Sequence, residues 1–474
     1  MTSPWAPIQL APLDVGIIGL YVAGLLYLGL RHRSSPEVRL RRYLLGGRRL
    51  TLVPFVATLV TTWYGGILGV GEFTYAYGLV NLLIFGLPYY LFAVLYAVFM
   101  ARRVHRESAL TIPERFGVHY GPRSARLGAV LVFALTTPAP YLLMLGVMLS
   151  QLLGIPLWLA ILLGTVFSTV YLWRGGFQSV VRTDVLQFAL MFTGFAVLVG
   201  VLIAHQPLEA MWAQLPAGHQ HWRGAGMLSW QTILVWFLIG SWTFVDPGIY
   251  QRCVAADTGR TAARGILISV GFWFAFDLLT TAAGLYAVVL LPELAADAGG
   301  AVAAYPLLAA AVLPPGLLGI FMVALLAVIM STIDSFAFIG ATTLGRDFAP
   351  RTGNGLADER QRIRWGIVAS AILGFTLAVS IPSVVSLWYT LGMVLVPGLL
   401  LPVLVTFHPR LVLSDGAMLT ISLAGVLTAG AWLLTPTLGA AWAGDTYPLG
   451  LQPMLPGLLV TLALVLVMGR RVSR

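Results

Sequence analysis

Residues 51–78, TLVPFVATLVTTWYGGILGVGEFTYAYG, are apolar enough to lie in a bilayer, yet their composition opposes a continuous helix. Pro54, the Thr61–Thr62 pair, Gly65, Gly66, Gly69, Gly71 and Glu72 all fall within one span. Each interior glycine costs about 1 kcal/mol of helix stability relative to alanine, so this density predicts an interrupted membrane helix. Interrupted helices are tolerated in hydrocarbon only where the freed carbonyls line a cavity or meet an ion. GGILGVG also suits close packing through small residues, and both readings can hold in different turns.

The rest of the chain supplies the bilayer context. Of 474 residues, 59% are hydrophobic and 10% charged, against about 25% charged in a soluble domain. The apolar runs are about 20 residues long, which predicts spanning helices and not barrel strands. The expected fold is all-α and integral to the membrane. Thirteen spans are expected, at about 12–31, 52–77, 80–101, 127–153, 156–174, 184–204, 229–250, 264–291, 306–346, 365–382, 384–406, 415–436 and 452–469. The ninth is too long for one crossing and should begin as a short separate piece before Pro314 and Pro315.

All 28 basic residues are arginine and the net charge is +10, but the arginines do not form a nucleic-acid face. With the N-terminus outside, 27 of the 28 fall in loops facing the cytoplasm, and only Arg223 lies outside. The expected location is the plasma (inner) membrane, multi-pass, with the N-terminus outside and the C-terminus cytoplasmic. This count leaves no arginine at membrane depth. No signal peptide is evident, since the first apolar run has its arginines after it. Cys253 is the single cysteine, so no intrachain disulfide forms. His219 and His221 are expected to face water and not to bind a metal.

A second interrupted span is expected at 229–250, where Gly240–Ser241 divides the run and Asp246-Pro247-Gly248 follows. Each broken span is followed by four more helices. Five is odd, so the second set enters from the opposite side, and paired breaks at corresponding positions point to a midplane site. The expected organisation is an N-terminal accessory helix and basic loop (1–50), a first five-helix repeat (51–204), an external loop (205–228), a second, inverted repeat (229–406) and two C-terminal accessory helices (407–474).

The third informative stretch is 321–347, FMVALLAVIMSTIDSFAFIGATTLGRD. On a helix Ser331, Asp334 and Ser335 share one face, with Thr332 beside it. Buried hydroxyls can bond back to their own helix, but a carboxylate needs a proton or a positive partner. Asp277, in FWFAFDLLTT, is a second membrane carboxylate. Asp184 is expected to open the sixth span as a helix N-terminal residue.

These segments together resemble the sodium:solute symporter family. The matching pieces, in order, are LGGRRL, TTWYGG, TIPERFGVHYG, VVRTDVLQ, FVDPGIYQRCVAADT and MSTIDS, from residue 45 to about 347. The resemblance implies the LeuT-type fold of two inverted five-helix repeats (spans 2–6 and 7–11). It implies a sodium site made by the carbonyls of Thr61, Tyr64 and Val328 and the hydroxyls of Ser331 and Thr332. It also suggests a second, inner cation site or exit path at Asp184, Asp334 and Ser335. Substrate candidates are Trp63, Leu68, Glu72, Tyr89, Trp242, Asp246, Tyr250, Asp277, Trp388 and Tyr389.

The expected function is sodium-coupled import of a small polar solute by alternating access, with sodium as a transported ion and not a fixed cofactor. With no arginine counted at membrane depth, a neutral or zwitterionic solute is expected. The alternatives are proton coupling or no coupling on the same fold, and a solute-binding sensor; no output domain in this sequence favours the sensor. No nucleophile–base pair or nucleotide loop suggests an enzyme. The expected partners are the bilayer, the solute and sodium; the oligomeric state is not legible.

Overall fold

The computed structural model describes residues 7–31, 48–107, 109–172, 177–296, 300–348, 355–436 and 447–471. Most of the basic loop at 31–50 with the start of LGGRRL, residues 174–176, and the tip of the acidic loop at 297–299 lie outside the described residues. The chain is built from helices α1 (Pro12–Arg31), α2 (Leu52–Trp63), α3 (Ile67–Tyr77), α4 (Leu87–Phe99), α5 (Pro122–Leu135), α6 (Ala139–Leu153), α7 (Leu157–Leu172) and α8 (Phe177–His205). There follow α9 (Trp230–Ile239), α10 (Pro247–Ala255), α11 (Gly259–Leu290), α12 (Ala304–Val312), α13 (Leu317–Thr342), α14 (Gly355–Ser380), α15 (Val384–Val405), α16 (Asp415–Leu434) and α17 (Met454–Met468).

Both expected interruptions are present. One tight turn of helix, Tyr64–Gly66, separates α2 from α3, and Gly240–Phe244 separates α9 from α10. Pro138 and Pro140 fully break the chain between α5 and α6, because proline removes an amide donor and crowds the preceding turn. Likewise α12 is the short separate piece before Pro314 and Pro315.

The expected count of thirteen is not reproduced by length alone. Ten helices among the described residues are long and apolar enough to cross a membrane. The first, fifth and thirteenth expected spans correspond to shorter apolar helices, at Pro12–Leu25, Leu157–Val170 and Met454–Met468. α13 sits at the centre. Apart from the cluster at Ser331–Ser335 it is apolar around most of its circumference because it is buried on all sides, packed against α1, α2, α6, α8 and α14. On the far side of the bundle, α15, α16 and α17 pack on one another.

Two acidic residues bear on this packing. α1 is not wholly apolar, because its Asp14 is fully buried. Asp14 Oδ1 accepts from the amides of Gly316 (2.7 Å) and Gly319 (2.8 Å), filling donors left open at the start of α13. Nor does Asp184 open its helix: α8 begins at Phe177, and Asp184 lies two turns inside it, where hydroxyls from other helices replace the terminal amides.

Candidate functional site

The break after α2 lies against the middle of α13. Thr332 Oγ1 has three carbonyl oxygens around it: Thr62 at 3.1 Å, Val328 at 3.2 Å and Thr61 at 3.5 Å. A hydroxyl carries one proton and cannot serve all three acceptors at once. Gly65 permits the approach, since a Cβ there would lie 1.7 Å from Thr332 Oγ1. The hydroxyl of Thr61 donates to Ala57 O at 2.9 Å, which leaves Thr61 to act through its carbonyl.

Of the five oxygens expected around sodium, the structure thus gathers those of Thr61, Val328 and Thr332. The hydroxyl of Ser331 is turned elsewhere and donates to Asp184 at 2.5 Å. The phenol of Tyr64 donates to Trp273 O at 2.7 Å.

Beside this break is a cavity lined by six of the ten expected substrate residues: Trp63, Tyr89, Trp242, Asp246, Asp277 and Trp388. Trp63 packs edge-on against Tyr89, with ring centroids 4.7 Å apart. Gly66 and Gly69 make room for Trp388, whose ring would be 2.3 Å and 2.6 Å from a Cβ at these positions. Asp246 caps α10 by accepting from Ile249 N at 2.7 Å, and Asp277 accepts from the phenol of Tyr90.

The other four candidates do not line the cavity. Leu68 is fully buried in the apolar core. Glu72 accepts from Ser383 Oγ (2.5 Å) and from the amides of Val384 (3.0 Å) and Val385 (3.4 Å), which caps α15. Tyr250 donates to Ala109 O at 3.2 Å, and Tyr389 packs on Trp236 with centroids 4.8 Å apart. Sequence reasoning missed Phe85, Tyr141, Phe336 and Arg252, all of which line the cavity.

Arg252 is the main correction. Counted with the cytoplasmic loops, it is instead 1% exposed within α10. Its Nη2 donates to Thr62 Oγ1 (2.6 Å), Thr58 Oγ1 (3.0 Å) and Ser335 Oγ (3.3 Å), and its Nη1 to Gly248 O (3.2 Å). Thr58 in turn donates to Asp184. The inner polar group expected from Asp184 and Ser335 therefore exists, but it contains a guanidinium. Asp334 is buried one turn along and within electrostatic reach of Tyr21 on α1. The expectation that Arg252 lies in a cytoplasmic loop fails because Asp246-Pro247 starts a new helix that buries Arg252.

The sodium:solute symporter family matches residues 43–424 of the chain. The chain belongs to this family. It is 25% identical to the sodium/pantothenate symporter of Escherichia coli over 482 aligned positions, covering 95% of this chain and 94% of that one. It is 30% identical to the sodium/pantothenate symporter of Haemophilus influenzae over 40% of this chain and 39% of that one. It is 28% identical to the high-affinity choline transporter 1 of Caenorhabditis elegans over 40% and 35%. The latter two matches thus span well under half the length of those relatives. Among solved structures, a Na+-coupled sialic acid symporter in a substrate-bound outward-open state has the same fold. Its TM-score is 0.72 at 15% identity, covering 98% of this chain and all of that one. Mhp1, a nucleobase-cation-symport-1 family transporter, matches with a TM-score of 0.54 at 13% identity, covering 89% and 92%. The chain is a multi-pass membrane protein of the LeuT-type fold, and sodium is the ion its family transports.

Proposed function

We propose that the chain imports a small polar organic solute into the cell together with sodium, by alternating access. The observation that carries this reading is the set of Thr61, Thr62 and Val328 carbonyls around one Thr332 hydroxyl at the break after α2. Sodium would take that position, drawing also on the Tyr64 carbonyl and the Ser331 hydroxyl. The solute would occupy the adjoining cavity, with Trp63, Tyr89, Trp242 and Trp388 against its apolar part and Asp246 and Asp277 orienting its polar groups. Mostly neutral oxygen ligands hold sodium weakly enough to release it inside.

Choline and pantothenate, named for similar proteins, both combine an apolar stem with a polar or charged end. Such a solute suits walls that are largely aromatic and carry a few fixed charges. The N-out orientation in the plasma membrane is supported by the placement of the arginines, 26 of 28 once Arg223 and the buried Arg252 are set aside. The test is uptake of radiolabelled choline, pantothenate, proline and short monocarboxylates into proteoliposomes, with and without an inward sodium gradient. Sodium-driven accumulation of at least one is expected. Accumulation driven equally well by a proton gradient with sodium absent would overturn sodium coupling.

A further inference from the structure

The inner polar cluster has the oxygen donors of a second cation site. Thr58, Thr62, Ser331 and Ser335 supply hydroxyls and Asp184 a carboxylate, all buried. A sodium ion placed among them would have to use the same oxygens that Arg252 already holds. Nη2 of Arg252 is in contact with three of the four hydroxyls at 2.6–3.3 Å, and the fourth, Ser331, donates to Asp184.

The direction of the hydrogen bonds is also fixed. The guanidinium donates to Thr58, and Thr58 spends its one proton on Asp184. Positive charge on Arg252 and negative charge on Asp184 are thereby joined through one hydroxyl. A buried carboxylate without a positive partner is strongly disfavoured, and here the chain supplies that partner itself. Arg252 faces two buried carboxylates, Asp184 and Asp246, of which Asp246 is already engaged with the Ile249 amide; sodium among the hydroxyls would add a second positive charge beside the guanidinium, where dielectric screening is weak.

We propose that Arg252 is the resident cation of this inner site, so that one sodium, held at Thr332, is bound per transport cycle. This rests on the sodium-coupled reading above and goes beyond it by fixing the number of ions. It also assigns the inner cluster a structural and electrostatic role in place of an ion-binding one.

Radioactive sodium bound to the purified full-length chain, counted by equilibrium scintillation proximity, tests this without knowledge of the solute. One ion per chain is expected for the native protein. Two would overturn the proposal, whereas none would instead remove the sodium-coupled function itself. In Arg252→Gln the inner oxygens lose their cation, and the count is expected to rise to two. In Arg252→Gln with Asp184→Asn it should return to one. A count that stays at one in a folded Arg252→Gln protein would overturn the assignment. Should that variant fail to fold, Arg252→Lys, which keeps the charge, is expected to bind one ion, and a second ion there would equally overturn it.

Discussion

The two broken helices look alike in sequence and behave differently in three dimensions. After α2 the interruption presents the carbonyls of Thr61 and Thr62 to another helix, where a single hydroxyl of Thr332 meets both. After α9 the interruption satisfies itself. Ser241 donates to Leu238 O at 2.6 Å and Thr243 to Gly240 O at 2.8 Å, so its hydroxyls close on its own carbonyls. Asp246 then caps the helix that follows. A glycine-rich interruption is thus only an opportunity for an ion. The difference lies in the neighbour: the carbonyls of Thr61 and Thr62 meet a hydroxyl from another helix, whereas the hydroxyls at the second break bond within their own segment.

The contrast is sharpest at the glycines. In Gly65→Ala the new methyl would fall 1.7 Å from Thr332 Oγ1, and the two segments must separate. Overpacking of this kind costs about 1–3 kcal/mol, so sodium-driven uptake should fall by about 100-fold, measured in proteoliposomes. Gly240→Ala meets Pro88 Cβ at 2.7 Å, away from the carbonyl set. It should lower thermal stability while leaving the half-saturating sodium concentration within about twofold of native. Equal losses of sodium affinity in both variants would erase the distinction between the breaks.

A smaller effect is expected from the hydroxyls. Thr332→Val keeps the shape and removes the oxygen, and half-saturating sodium should rise about tenfold, the equivalent of about 1.4 kcal/mol. Ser241→Ala removes a hydroxyl that only back-bonds, and the same titration should move by less than about twofold. The smallest effect on transport concerns Glu72, which lies beyond the first break at the start of α15. Glu72→Ala should cost about 1 kcal/mol of stability through loss of a helix cap, seen as a lower Tm, with an unchanged KM for solute. A tenfold rise in KM at native stability would return Glu72 to the substrate residues.

Much of the architecture was legible because the bilayer imposes simple rules. Runs of apolar residues and the Pro314–Pro315 stop depend on local chemistry, and they read directly. Glycines within an apolar run announced both breaks, but what each glycine faces is a tertiary fact. Gly65 faces Thr332, while Gly66 and Gly69 face Trp388. Glu72 could not be assigned from sequence because its partners, Ser383 to Val385, are more than 300 positions away. Arg252 was misplaced for a different reason. The arginine count treated everything after residue 250 as loop, although Asp246 followed by Pro247 is a helix-start signal that puts Arg252 in the second turn. Asp184 was misread because the sixth span was counted from residue 184, where the long apolar run begins, whereas the helix starts two turns earlier at Phe177.

Asp14 sets a condition on how the machine can move. It joins α1, which lies outside both repeats, to the first turn of α13, the helix that carries Thr332 and Ser331. Those two bonds moor one end of α13 to a neighbour on its flank. If α13 rocks during a cycle, α1 travels with it as one arm, and the opposite end of α13 must sweep the larger arc.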